Sequence, residues 1–107
     1  MGALPIQKSL ATLLEALKSY HPQKVILFGS AARGEADAES DLDVLIIKET
    51  DEPFVERLET MAQLCPRYVH ADILVYTPGE IQAMLDEDNP FITQALREGK
   101  VIYEARP

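Results

Sequence analysis

The sequence predicts an α/β (α+β) domain built around a small sheet, and three observations carry that prediction. Short β-branched and aromatic runs recur at residues 25–28, 42–47 and 69–76. The stretches between them repeat their apolar residues at helical spacing, so strands and helices interleave. The chain has 107 residues, 47% of them hydrophobic and 26% charged. That composition suits a folded domain, and a chain of this size buries roughly two-thirds of its unfolded surface without needing metal or disulfide staples. No repeat, low-complexity tract or linker interrupts the sequence, so residues 1–107 read as a single domain.

The first helix is announced by Leu10, Leu13, Leu14 and Leu17, with Ile6 extending the stripe backward. The spacing predicts about 14 helical residues, with Pro5 in the first turn. His21-Pro22 ends the helix, because the residue before proline is driven out of the helical region. Val25-Ile26-Leu27-Phe28 reads as a strand buried on both faces and stops at Gly29. Composition is small and polar through Ser40, after which residues 41–47 form a second strand that ends wholly apolar. Phe54, Leu58, Met61 and Cys65 mark a second long helix between Pro53 and Pro66. Val69 through Tyr76 is a third strand, with Val69, Ala71, Ile73 and Val75 on its expected core face. Thr77-Pro78-Gly79-Glu80 has capping-box spacing and opens a helix carrying Ile81, Met84 and Leu85. Asn89-Pro90 opens another with Phe91, Ile92, Ala95 and Leu96, which Gly99 suits as a C-terminal cap. Val101-Ile102-Tyr103 reads as a final edge strand.

Charge and cysteine usage narrow the functional classes. Eighteen acidic residues against ten Lys and Arg give a formal net charge of −8. So acidic a surface repels phosphate backbones, which argues against direct nucleic-acid binding. Apolar runs are too short to span a bilayer, so no membrane partner is expected. No secretory signal pattern is visible, and a cytoplasmic location is the default expectation. Cys65 is the single cysteine, which excludes an internal disulfide. Oligomeric state is left open, a homo-oligomer included.

The chemistry concentrates between Gly29 and Asp43. In a strand, side chains at i and i+2 project to one face, so Asp41 and Asp43 lie together, about 6.6 Å apart along the backbone. Two adjacent carboxylates at the start of an apolar strand repel one another and lose hydration. A hard divalent cation, Mg2+ or Mn2+, relieves both penalties. Taken alone, an Asp-x-Asp in so acidic a chain is better read as a pair of solvated acids. Asp72 changes that balance. It is flanked by Ala71 and Ile73 within the third strand, where an unpaired charge is costly. A neighbouring strand at about 4.8 Å could bring it beside the other two. Its bland reading is an edge-strand aspartate facing water. Gly29 and Ser30 sit where the first strand ends. A glycine lets phosphate approach the backbone, and a serine hydroxyl adds a donor. Arg33 offers a fixed positive charge to a triphosphate. By themselves these three residues describe an ordinary strand-to-helix turn with an exposed arginine.

Together, Gly29-Ser30, ten intervening residues, Asp41-x-Asp43 and the later Asp72 resemble the nucleotidyltransferase superfamily related to DNA polymerase β. The full Gly-Ser-Ala-Ala-Arg-Gly…Ser-Asp-Leu-Asp string is similar to its minimal, MNT-type branch, as is the closing Arg97–Tyr103 segment. The resemblance implies a polymerase-β-like fold, a small mixed sheet flanked by helices. It implies that the Gly29-Ser30 turn holds nucleotide phosphates, with Arg33 contributing, and that Asp41, Asp43 and Asp72 hold Mg2+. Asp72 would complete the metal shell and could help deprotonate the acceptor. It further implies transfer of AMP from ATP to a tyrosine of a helical HEPN-type toxin, with this chain as the antitoxin. Because all three aspartates are present, an active enzyme is expected.

Other classes compete with that reading. A binding-only antitoxin with vestigial aspartates would show no nucleotide turnover in magnesium. In a haloacid-dehalogenase-like phosphatase the acidic pair follows an apolar strand, whereas here it precedes Val44–Ile47. An EF-hand at residues 37–43 lacks its glycine and closing glutamate, and a P-loop lacks its Gly-Lys-Ser/Thr ending. Cys65 reads as core, His70 as a surface histidine on the Asp72 face, and Tyr68, Tyr76 and Tyr103 as strand aromatics. The acidic runs at 49–52 and 86–88 read as solvated helix approaches.

Overall fold

Four strands form one mixed sheet in the order β3-β2-β1-β4 in a computed structural model that describes residues 6–35 and 41–105. They are β1 (Lys24–Phe28), β2 (Leu42–Ile47), β3 (Ala71–Tyr76) and β4 (Lys100–Glu104). β1 pairs antiparallel with both β2 and β4, while β2 and β3 run parallel. The parallel pair is joined through α3 (Phe54–Leu64), as a parallel connection requires.

Strand alternation sends two apolar sets to opposite faces of the sheet. Val25, Leu27, Val44, Ile46, Ile73 and Val75 enter the larger core with Leu13 and Leu17 of α1 (Ile6–Leu17) and Met61 of α3. Ile26, Leu45, Leu74 and Tyr76 face α4 (Pro78–Asp86) and α5 (Pro90–Glu98), where Ile81 and Ile92 are buried. Both faces of the sheet are therefore covered, which explains the unbroken apolar runs Val25–Phe28 in β1 and Val44–Ile47 in β2. The third strand was expected to have one core face. Instead its other face, beyond Asp72, lies against the second core.

Local chemistry accounts for the helix ends. α1 tightens into a 3₁₀ turn at Lys18–Tyr20 and stops at His21, which has φ 57°. The Thr77 hydroxyl accepts from Glu80 N–H at 3.1 Å, and Glu80 accepts from Thr77 N–H at 2.8 Å, completing the expected capping box. The Asn89 side chain accepts from Ile92 N–H at 3.1 Å. Gly99 follows α5 with φ −71°, so its role is not left-handed capping. An added Cβ there would meet Ile26 Cγ2 at 2.6 Å and collide with the Ala95 carbonyl. The residue is glycine because α5 closes tightly on β1.

The buried stripe of α3 differs from the expected one. Arg57 and Met61 are its buried residues, while Leu58 is exposed and Cys65 caps the helix end half-buried. Cys65 packs against the larger core, and burial raises its thiol pKa, in keeping with a core role. The third strand begins at Ala71, two residues later than expected, and Tyr68 lies exposed in the preceding turn. Glu52 is not simply solvated: its carboxylate accepts from Thr60 Oγ1 at 3.0 Å, and its carbonyl accepts from Arg57. Among the described residues no helix is long and apolar enough to cross a membrane. Pro5 and residues 36–40, part of the stretch leading into Asp41, lie outside the described residues.

Candidate active site

The pairing register assembles the site. Asp43 is the parallel partner of Asp72 and the antiparallel partner of Phe28. Registered partners project to the same face of a sheet, so Asp43 and Asp72 stand side by side on the α4/α5 face. They lie beyond Leu45 and Leu74, where the second core ends. Asp41 precedes β2 by one residue, and its carboxylate lies 3.9 Å from His70 Nδ1. His70 therefore borders the acidic group. Asp72 is exposed on the edge strand, so it carries no burial penalty of the kind expected from its apolar neighbours in sequence.

Asp43 is half-buried, and its pKa is raised. Burial is the largest cause, followed by the negative charges of Asp72 and Asp41, with Arg33 acting in the opposite direction. Three carboxylates thus share one electrostatic environment in which the middle one is disfavoured as an anion. Among the described residues, no three acidic, His or Cys side chains are drawn together as a ready-made metal cluster. The donor set nevertheless fits a hard divalent cation: it supplies only oxygen, it is solvent-accessible, and its central carboxylate gains from a nearby positive charge.

Gly29 turns the chain from β1 into the four-residue α2 (Gly29–Ala32) with φ 70°. A Cβ at this position would run into the Asp43 carboxylate. Glycine is required here on two counts, backbone conformation and proximity to Asp43. Ser30 follows directly, half-buried. The Gly29–Ser30 turn and the aspartates are consequently neighbours in space, as the motif spacing anticipates.

Arg33 is exposed, and among the described residues its guanidinium pairs with the carboxylates of Glu35 at 2.9 Å and Glu98 at 3.5 Å. Both partners raise its already high pKa, with Glu35 the larger influence. With Gly29 it borders a cleft of about 180 Å³ that opens beside the carboxylates. Phe28 and Phe91 form its aromatic wall, their rings edge-to-face with centroids 5.6 Å apart. Neither Phe91 nor Glu98 stood out in the sequence as a site residue, since a phenylalanine on an amphipathic helix reads as core. Phe91 is 41% exposed at the start of α5, and that exposure is visible only in the fold.

The sequence profile of the polymerase beta nucleotidyltransferase family matches residues 11–107. A candidate protein adenylyltransferase of Methanocaldococcus jannaschii is 30% identical over 102 residues, 91% of this chain and 97% of the relative. Among solved structures, a candidate nucleotidyltransferase from Sulfolobus solfataricus superposes with a TM-score of 0.64 at 19% identity, covering 91% of this chain and 78% of that one. The toxin–antitoxin structure MntA–HpeT superposes with a TM-score of 0.59 at 19% identity, covering 91% of this chain and 73% of that one.

Proposed function

This chain belongs to the polymerase β nucleotidyltransferase family, and from that premise we propose that it transfers AMP from ATP to a tyrosine hydroxyl of a HEPN-type toxin. In this reading it is the antitoxin of the pair. The observation that carries the reaction is the registered Asp43–Asp72 pair set against the Gly29–Ser30 turn. The adenylyltransferase name of the M. jannaschii relative and the toxin–antitoxin neighbour support the donor and the partner.

Asp41, Asp43 and Asp72 would hold Mg2+, with Mn2+ an acceptable substitute. When bound, the ion neutralises charge on the triphosphate and on the departing pyrophosphate. The chain's own groups do the rest. The backbone and hydroxyl of Gly29–Ser30 hold the outer phosphates, and Arg33 adds positive charge at the cleft rim. Asp72, the most open of the registered pair, receives the proton of the acceptor hydroxyl. The hydroxyl oxygen forms a bond to the α-phosphorus, the bond from that phosphorus to the bridging oxygen breaks, and pyrophosphate leaves. The net charge of −8 disfavours a polynucleotide acceptor and suits a protein one.

Mass spectrometry of a HEPN-type toxin incubated with this protein, ATP and magnesium tests the proposal. The expected result is the mass of one AMP added to a tyrosine. No adduct with any nucleoside triphosphate would overturn it and leave neutralisation by contact.

A further inference from the structure

We propose that the cleft between β1 and α5 is the base subsite for the donor nucleotide, with a purine stacked on Phe91 and its edge read by Gln94. This rests on the nucleotidyltransferase reading and adds the residues that select the base. The argument begins with position. Phe28, the wall of the cleft, is the register partner of Asp43, and Gly29, at its end, contacts that carboxylate. A nucleotide folded across Gly29 therefore places its phosphates by the aspartates and its base in the cleft.

The lining supplies the matching chemistry. Phe91 is 41% exposed although it begins an amphipathic helix whose Ile92 and Ala95 are buried. The Phe28 and Phe91 rings stand nearly perpendicular, with 82° between their planes, so they do not stack on each other and a face of Phe91 is left for a flat ligand. A flat π-system is the ligand such a wall favours. One turn along α5, Gln94 lines the same cleft and donates from Nε2 to Glu98 at 3.4 Å, a contact long enough to yield. An amide combines a donor and an acceptor, the pair that adenine's ring nitrogen and exocyclic amine require. The acceptor tyrosine fits less well. Its one polar atom must reach the α-phosphorus, so Gln94 and Glu98 would face the apolar edge of its ring.

Isothermal titration with α,β-methylene-ATP and, separately, inorganic tripolyphosphate, both with magnesium, tests the subsite. Phe91→Ala should weaken the nucleotide about tenfold and leave tripolyphosphate unchanged. Gln94→Leu, at an exposed position of the helix, should weaken the nucleotide about fivefold, again sparing tripolyphosphate. Unchanged nucleotide affinity in both variants, or equal losses for the two ligands, would overturn the subsite while leaving the phosphate site in place. Failure of the unaltered protein to bind either ligand would remove the nucleotidyltransferase site itself, and the base subsite with it.

Discussion

Asp43 and Asp72 occupy the same register position on adjacent parallel strands, so two like charges face the same way from a partly dry sheet surface. Such an arrangement costs stability in the absence of a counter-charge. Asp43→Asn should therefore raise the stability of the metal-free protein by about 0.5–1 kcal/mol while abolishing nucleotide transfer. Magnesium should raise the melting temperature of the unaltered protein, and the same change should cancel that rise. Thermal melts with and without magnesium, beside a transfer assay, check both halves. A destabilised variant that retained transfer would contradict the metal role.

Arg57 is 5% exposed, and its guanidinium donates to both Glu80 oxygens, at 2.6 and 3.2 Å, and to the carbonyls of Glu52 and Val75. Glu80 thus neutralises a buried cation while also closing the cap of α4. Arg57 and the Thr77 cap hold its carboxyl below the ordinary range. Its contribution is therefore complete above the unfolded value of about 4.3 and is lost as pH falls through the depressed folded value. Glu80→Gln should cost about 1–2 kcal/mol at pH 7, less than for a fully buried pair because Glu80 is half-open to water. Denaturant curves of the two proteins should converge as pH falls through that depressed value.

Among the described residues Arg33 pairs with the exposed carboxylates of Glu35 and Glu98, and surface pairs of this kind add little to stability. Arg33→Ala should leave the melting temperature unchanged and weaken binding of a non-hydrolysable ATP analogue severalfold. Calorimetric titration and a thermal melt separate the two effects.

Gly99→Ala should destabilise the fold by about 1–3 kcal/mol, because the added methyl group has no room between Ile26 and the Ala95 carbonyl. The backbone itself would accept alanine at φ −71°. A paired Ile26→Val, Gly99→Ala variant should recover none of the loss, because valine keeps the Cγ2 methyl and the Ala95 carbonyl stays in place; chemical denaturation can measure this.

Much of this architecture is legible from residue order. The leucine stripe of α1, the apolar run of β1, the Thr77–Glu80 box and the Asn89 cap are local signals, and local signals survive into the fold. The adjacency of Asp41 and Asp43 follows from strand alternation alone. What residue order does not contain is the long-range register that sets Asp72 opposite Asp43, since a shift of one position would turn it to the other face. Arg57 is hidden for a different reason. A charged residue on a helix stripe reads as solvent-facing, and its partners lie at Glu52, Val75 and Glu80, which no period connects. The possible clue was Glu80, a capping glutamate whose second oxygen had a partner still to find. The aromatic cleft is equally non-local, since Phe28 and Phe91 belong to elements far apart in the chain.

Gly99 alone separates the last residue of α5 from the first of β4. So brief a joint allows no hinge at that end, and the helix carrying Phe91 and Gln94 is seated against β1 before any ligand arrives. The recess is thus prepared during folding, and nucleotide capture should follow a single exponential whose rate climbs linearly with concentration, with no slower closing phase behind it.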